Sequence, residues 1–226
     1  MASQVVPNQG PHWRVQAADY SRGELVADHA VHVVGVASAL LAAPALLALT
    51  IQRDDLPLIT GVALYLAGLV TMLASSALYN TVGLGPRRDF FRTLDQMAIL
   101  LMIAGTYSPF TLAQGTDWGL GFFVFVWLVV GLAVIKKFFW PNQYERIALG
   151  LYIILGWLML VALVPLLPTL SLTSTTLLMV GGGLYSVGIL FHQWRHLPYQ
   201  NAIWHAHVLA AASCHFGAIL EGLVLR

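Results

Sequence analysis

Charge is scarce in this sequence. Asp, Glu, Lys and Arg make up 9% of its 226 residues, and the formal net charge is +1. No strong field therefore calls for a nucleic-acid partner, and none is expected. Cysteine is scarcer still. Cys214 stands alone, so no disulfide can form within the chain, and cysteine usage says nothing of the redox compartment. Internal repeats and low-complexity tracts are missing too. No stretch beyond the first two dozen residues is polar and long enough to build a separate soluble domain.

What is present is apolar length. Hydrophobic residues make up 58% of the chain, the composition of a membrane protein. Seven apolar segments fall at 26–51, 57–79, 94–113, 118–136, 146–166, 173–192 and 202–224. Each is close to the ~20 residues needed to cross a bilayer. The pattern predicts an all-α, polytopic seven-transmembrane bundle over 24–226, preceded by a short tail over 1–23. Leu40 to Ala45 superficially resembles a leader-cleavage site. The apolar run nevertheless continues to Ile51, and its start carries Glu24, Asp28, His29 and His32, so the segment reads as a retained span. Gly181-Gly182-Gly183 reads as a point of close helix packing, since no nucleotide-binding context surrounds it.

Orientation follows from the basic residues. Arg14, Arg22, Arg87, Arg88, Arg92, Lys136, Lys137, Arg146 and Arg195 fall on one side of the expected spans, and only Arg53 and Arg226 on the other. The amino terminus is therefore expected in the cytoplasm and the carboxyl terminus outside.

Polar residues inside the spans gather on the same side. Glu24, Asp28 and His32 recur every four residues and share one helix stripe; so do Ser76 and Asn80, and Asn201 and His205. Asp95 stands near the start of the third segment. Buried in a membrane, such a carboxylate faces a partner, a cavity or a site; at an interface, it or Thr93 caps the helix start. Asp28, His32, Asn80, Asp95, Asn201 and His205 are expected to line one polar cavity, the alternative being separate interhelical hydrogen bonds. His207 falls about 200° round the helix from His205, and His215 lies about 15 Å further along it. His192 and His196 have the spacing of two metal ligands on one helix face, but read as a solvated interfacial segment.

These residues carry a resemblance. Leu94-Asp95-Gln96 with Ile103 to Phe110, Ser75 to Asn80, and Leu197 to His205 with Ser213 to Phe216 are similar to motifs of the hemolysin III branch of the progestin and adiponectin receptor family. The likeness runs from about Glu24 to Leu223. It implies seven spans, a cytoplasmic amino terminus, a bacterial inner membrane and a zinc site at the cytoplasmic end. In that family one zinc ligand is a histidine four residues after a serine at the end of span two. Two more come from a His-x-x-x-His pattern in span seven, and an aspartate opening span three lies beside the metal. Ser76, Asp95 and His205 match; Asn80 and Asn201 stand where histidines are expected.

An amide oxygen is a poor substitute for imidazole at zinc. The expectation is therefore a degenerate site: zinc is implied by the resemblance, but a metal-free cavity is favoured, with membrane lipids as partners. The corresponding function is membrane homeostasis or lipid sensing. Two alternatives stand beside it. One is a zinc-dependent hydrolase of membrane lipid amides, with Ser76 and Asp95 as catalytic positions and His205 as ligand. The other is a pore-forming cytolysin or proton path, although no span carries a polar stripe through to the outer face.

Overall fold

The structure is a computed structural model, and it describes residues 20–81, 86–141 and 145–226. Most of the expected tail, residues 1–19, lies outside the described residues. Among the described residues seven α-helices follow in order: α1 (Arg22–Ile51), α2 (Leu56–Thr81), α3 (Pro86–Leu112), α4 (Asp117–Phe139), α5 (Glu145–Leu163), α6 (Leu172–Gln193) and α7 (Gln200–Ile219). The last passes into one π-helical turn, Leu220–Val224. Five of these, α1, α2, α4, α6 and α7 with its π turn, are long and apolar enough to cross a membrane. The apolar part of α5 is shorter, Ala148–Leu163. The start of α3 carries Arg87, Arg88, Asp89, Arg92 and Asp95.

Polar caps start the helices where the apolar runs begin. The Ser21 hydroxyl accepts from the Glu24 N–H, and the Glu24 carboxylate accepts from the Ser21 N–H in return, closing a capping box at α1. Thr116 and Ser171 cap α4 and α6 in the same way through Gly119 and Ser174. Helix α1 runs unbroken through Pro44, so the cleavage-like stretch is mid-helix.

Two expected boundaries move, those of α3 and α5, while α6 ends where expected. Helix α3 begins at Pro86 rather than near 94, which puts Asp95 well inside the helix. Neither Asp95 nor Thr93 caps it; the Thr93 hydroxyl donates to the Asp89 carbonyl at 3.0 Å. Helix α5 stops at Leu163, and turns occupy 164–169, where Pro165 and Pro168 lack the N–H that a continuing helix needs. Helix α6 ends at Gln193, so His192 and His196 share no helix face, and both are exposed.

Helix α2 packs most extensively on α3, and α6 on α7, while α1 lies against both α2 and α7. Gly61 sets the α2–α3 distance: a Cβ there would sit 2.6 Å from the Pro109 Cα. Such contact between backbones is how helices associate where lipid removes the hydrophobic driving force. Tyr65, Val62, Tyr107, Phe110 and Val126 are fully buried around it. The buried tyrosines remain hydrogen-bonded, Tyr107 to the Leu155 carbonyl at 2.5 Å and Tyr65 to the Ala212 carbonyl at 3.4 Å. This antiparallel weave brings the start of α1, the end of α2, the first half of α3 and the start of α7 to one end of the bundle.

Candidate functional site

Asp28 is the hub of that end. It is 5% exposed. Its Oδ1 accepts from His205 Nδ1 at 2.6 Å, and its Oδ2 accepts from Asn201 Nδ2 at 3.0 Å. Its main-chain carbonyl accepts from His32 Nδ1, one turn on, at 2.8 Å. The stripe predicted on α1 therefore faces α7. A buried carboxylate with this many donors is satisfied, and the groups that satisfy it are held in place.

The two amides close on each other. Asn201 Nδ2 also donates to Asn80 Oδ1 at 3.1 Å, and Asn80 Nδ2 donates to the Ser76 carbonyl at 2.9 Å. On the other side of the imidazoles, Ser76 Oγ lies 3.2 Å from His32 Nε2 and 3.4 Å from His205 Nε2. The two rings meet edge-on with centroids 4.3 Å apart. Asp95, from α3, stands close by, near enough to Ser76, His205 and Arg92 for their groups to act on its charge. All seven residues singled out in the sequence, Asp28, His32, Ser76, Asn80, Asp95, Asn201 and His205, thus come together. Among the described residues, Asp28, His32 and His205 form the one group of ligating side chains whose atoms lie within 4.8 Å of one another.

A second tier ties α1 to the approach of α7. Glu24 Oε1 accepts from the Tyr199 N–H at 2.9 Å. Tyr199 has a φ of +59°, a left-handed conformation that turns the chain into α7. Reading the sequence did not find this pair.

The cluster borders a cavity of about 1140 Å³. Asn80, Asp95 and Asn201 form its polar end, Met102, Trp157 and Leu178 part of its apolar wall, and Tyr185 and His215 polar points further in. The Tyr185 hydroxyl and His215 Nδ1 are buried and meet no protein partner. Gly181 makes room for His215; a Cβ there would lie 2.6 Å from Nε2 of the ring. The other histidines stand apart. His207 bonds the Ile203 carbonyl at 2.8 Å and packs on Phe191, and His192 stacks against Trp204.

A model of haemolysin-III-related proteins matches residues 26–216, most of the chain. The chain belongs to this family. Haemolysin III relatives include a "Hemolysin-3 homolog" of Bacillus subtilis (strain 168), 33% identical over 204 residues, which span 87% of this chain and 93% of the relative. "Hemolysin-3" of Bacillus cereus is 33% identical over 203 residues, covering 87% and 90%. The "Monocyte to macrophage differentiation factor" of Homo sapiens is 29% identical over 144 residues, 59% of this chain and 56% of that protein. Its match is consistent with a hemolysin III branch of the progestin and adiponectin receptor family. No solved structure matches. The chain is accordingly an integral membrane protein, with hemolysin-3 homologues in bacteria.

The three-histidine zinc site that this family membership brings to mind does not fit these residues. Its positions at 80 and 201 are amides, and the amides are bonded to each other and to Asp28 instead of converging on a point beside His205. An uncharged amide oxygen adds little to a zinc centre.

Proposed function

We propose that this haemolysin III protein serves membrane homeostasis by sensing lipid, with the family's zinc positions degenerate in this chain. The observation that carries the reading is the cavity. At about 1140 Å³ it exceeds the usual range for a small-molecule pocket, and its long apolar wall ends in Asn80, Asp95 and Asn201. That is the shape of a site for an amphiphile, chain in the apolar part and polar end at the cluster. Gly182 and Trp157 line it side by side: a Cβ on Gly182 would lie 4.0 Å from the Trp157 ring.

The wider reading is a seven-span domain over 24–226 after a cytoplasmic tail, with the amino terminus inside and the protein in a bacterial inner membrane. The basic-residue count supports it. A second function, hydrolysis of a lipid amide, is favoured by the Asp95 carboxylate standing near the Ser76 hydroxyl at the polar end. The cytolytic word in the Bacillus names describes those proteins. Here His215 stands apart from the polar cluster, packed against Tyr185, which favours a bounded cavity over a pore.

Lipid extracted from the purified full-length protein tests the reading, beside a Gly182→Leu variant that narrows the cavity. The native protein is expected to retain lipid through detergent exchange, and Gly182→Leu to lose at least half of it while melting normally. Equal lipid in both, or none in the native protein, sinks the sensing reading.

A further inference from the structure

Thr106 and Ser108 donate to carbonyls of their own helix, and Ser174 donates to the Ala218 carbonyl. Two other buried polar atoms, inside α6 and α7, find no such partner. They are the Tyr185 hydroxyl and His215 Nδ1. Their rings are neighbours, with centroids 5.6 Å apart, and both residues line the cavity. The imidazole is seated by the fold. Its Cδ2–Nε2 edge lies against Gly181, where a Cβ would come 2.6 Å from Nε2. Nδ1, across the ring from that edge, is left on the side away from Gly181. A buried polar atom without a protein partner points to a group that the protein does not itself supply. A hydroxyl answers both atoms in either tautomer of the ring. It accepts from the phenol and donates to a bare Nδ1, or it accepts from both when Nδ1 carries the proton. A carbonyl oxygen can only accept, and a methylene answers neither.

We propose that Tyr185 and His215 form a second polar subsite of the cavity, which selects an acyl chain bearing a hydroxyl far from its head. Depth sets how far. His215 stands ten residues beyond His205 on α7, which is about 15 Å along the axis. The polar end made by Asn80, Asp95 and Asn201 lies at the His205 side. Carbon–carbon bonds of about 1.5 Å at tetrahedral angles cover that length in about a dozen carbons. The ligand class is therefore a hydroxylated long-chain acyl lipid, its head at the polar end and its hydroxyl near the twelfth carbon. An unsubstituted chain in the same place leaves both protein atoms bare, and that is how a site built for a hydroxyl rejects the analogue lacking it.

This inference rests on the lipid-sensing reading and names the lipid. The full-length protein in detergent is offered an equal mixture of three glycerol monoesters: of stearate, of stearate hydroxylated at the twelfth carbon, and of stearate hydroxylated at the second. Gel filtration removes unbound lipid, and mass spectrometry reads what stays. The twelfth-carbon ester should be enriched about tenfold over plain stearate ester, and the second-carbon ester should not be enriched. Tyr185→Phe removes only an unpartnered hydroxyl, so it should melt no lower than the native protein. It should also cut the enrichment to within about twofold, while plain ester is retained as before. His215→Leu should do the same. Ser213→Ala, whose hydroxyl is taken by the Leu209 carbonyl, should keep the full preference. Equal retention of the three esters, or a preference that survives Tyr185→Phe, overturns the proposal and leaves lipid sensing standing. Retention of none removes the lipid reading itself, and this inference with it.

Discussion

Asp28 uses three oxygens on three residues, His205 and Asn201 of α7 and His32 of its own helix, and so its removal should be felt well beyond its own position. Asp28→Ala strands His205 Nδ1 and Asn201 Nδ2 in a buried place. Leaving such donors unpaired costs about 1–3 kcal/mol, expected as a lower melting temperature in detergent. Asp28→Asn keeps one acceptor oxygen and should lose less. A second expectation belongs to Asn80 and Asn201. Changing both to His restores the family's three ligand positions. The double change should produce zinc binding that the native protein lacks, read by elemental analysis. Failure there would mean that the surroundings of the old site have diverged along with its ligands. The spacing of four residues made the shared faces legible: Asp28 with His32, Ser76 with Asn80, Asn201 with His205. It could not say which nitrogen of each ring points where. Nor could it say that His205 bonds directly to Asp28, with Asp95 standing close by. Those follow from how α1 sits against α7, which no single segment encodes.

At the scale of the helix, the apolar runs located all seven elements and misjudged their ends. Arg87, Arg88 and Arg92 lie within α3, although they read as a loop. Arginine is a good helix former, and its long stem lies along apolar surface while the charge reaches polar ground. A hydropathy reading sees only the charge. The opposite error shortened α5, where apolar residues continue past the point at which two prolines end the helix. The α2–α3 contact gives a prediction at this scale. Gly61→Leu pushes a side chain into the Pro109 backbone and should destabilise the bundle by about 1–3 kcal/mol. Gly150→Ala, where a Cβ meets nothing within 4 Å, should melt like the native protein. Equal melting of Gly61→Leu would show that the helices part easily, and the account of their packing would fail.

For the whole molecule, the lone cysteine is an asset. In a Cys214→Ser background, Arg53→Cys is expected to react with a membrane-impermeant maleimide from outside intact cells. Arg195→Cys should react only after permeabilisation. The reverse pattern would invert the topology read from the basic residues. The pairing of the first helix with the last also has a bearing on how the protein is made. Asp28 and His205 stand 177 residues apart. During synthesis α1 enters the bilayer before the groups that hold the Asp28 carboxylate exist, and every other helix follows before Asn201 and His205 arrive to meet it. Until then the growing chain holds an unanswered carboxylate at the membrane, a costly state and a mark by which an unfinished molecule differs from a finished one. Chains cut short before α7 should therefore be recognised and degraded, so the site doubles as a record that translation reached its end.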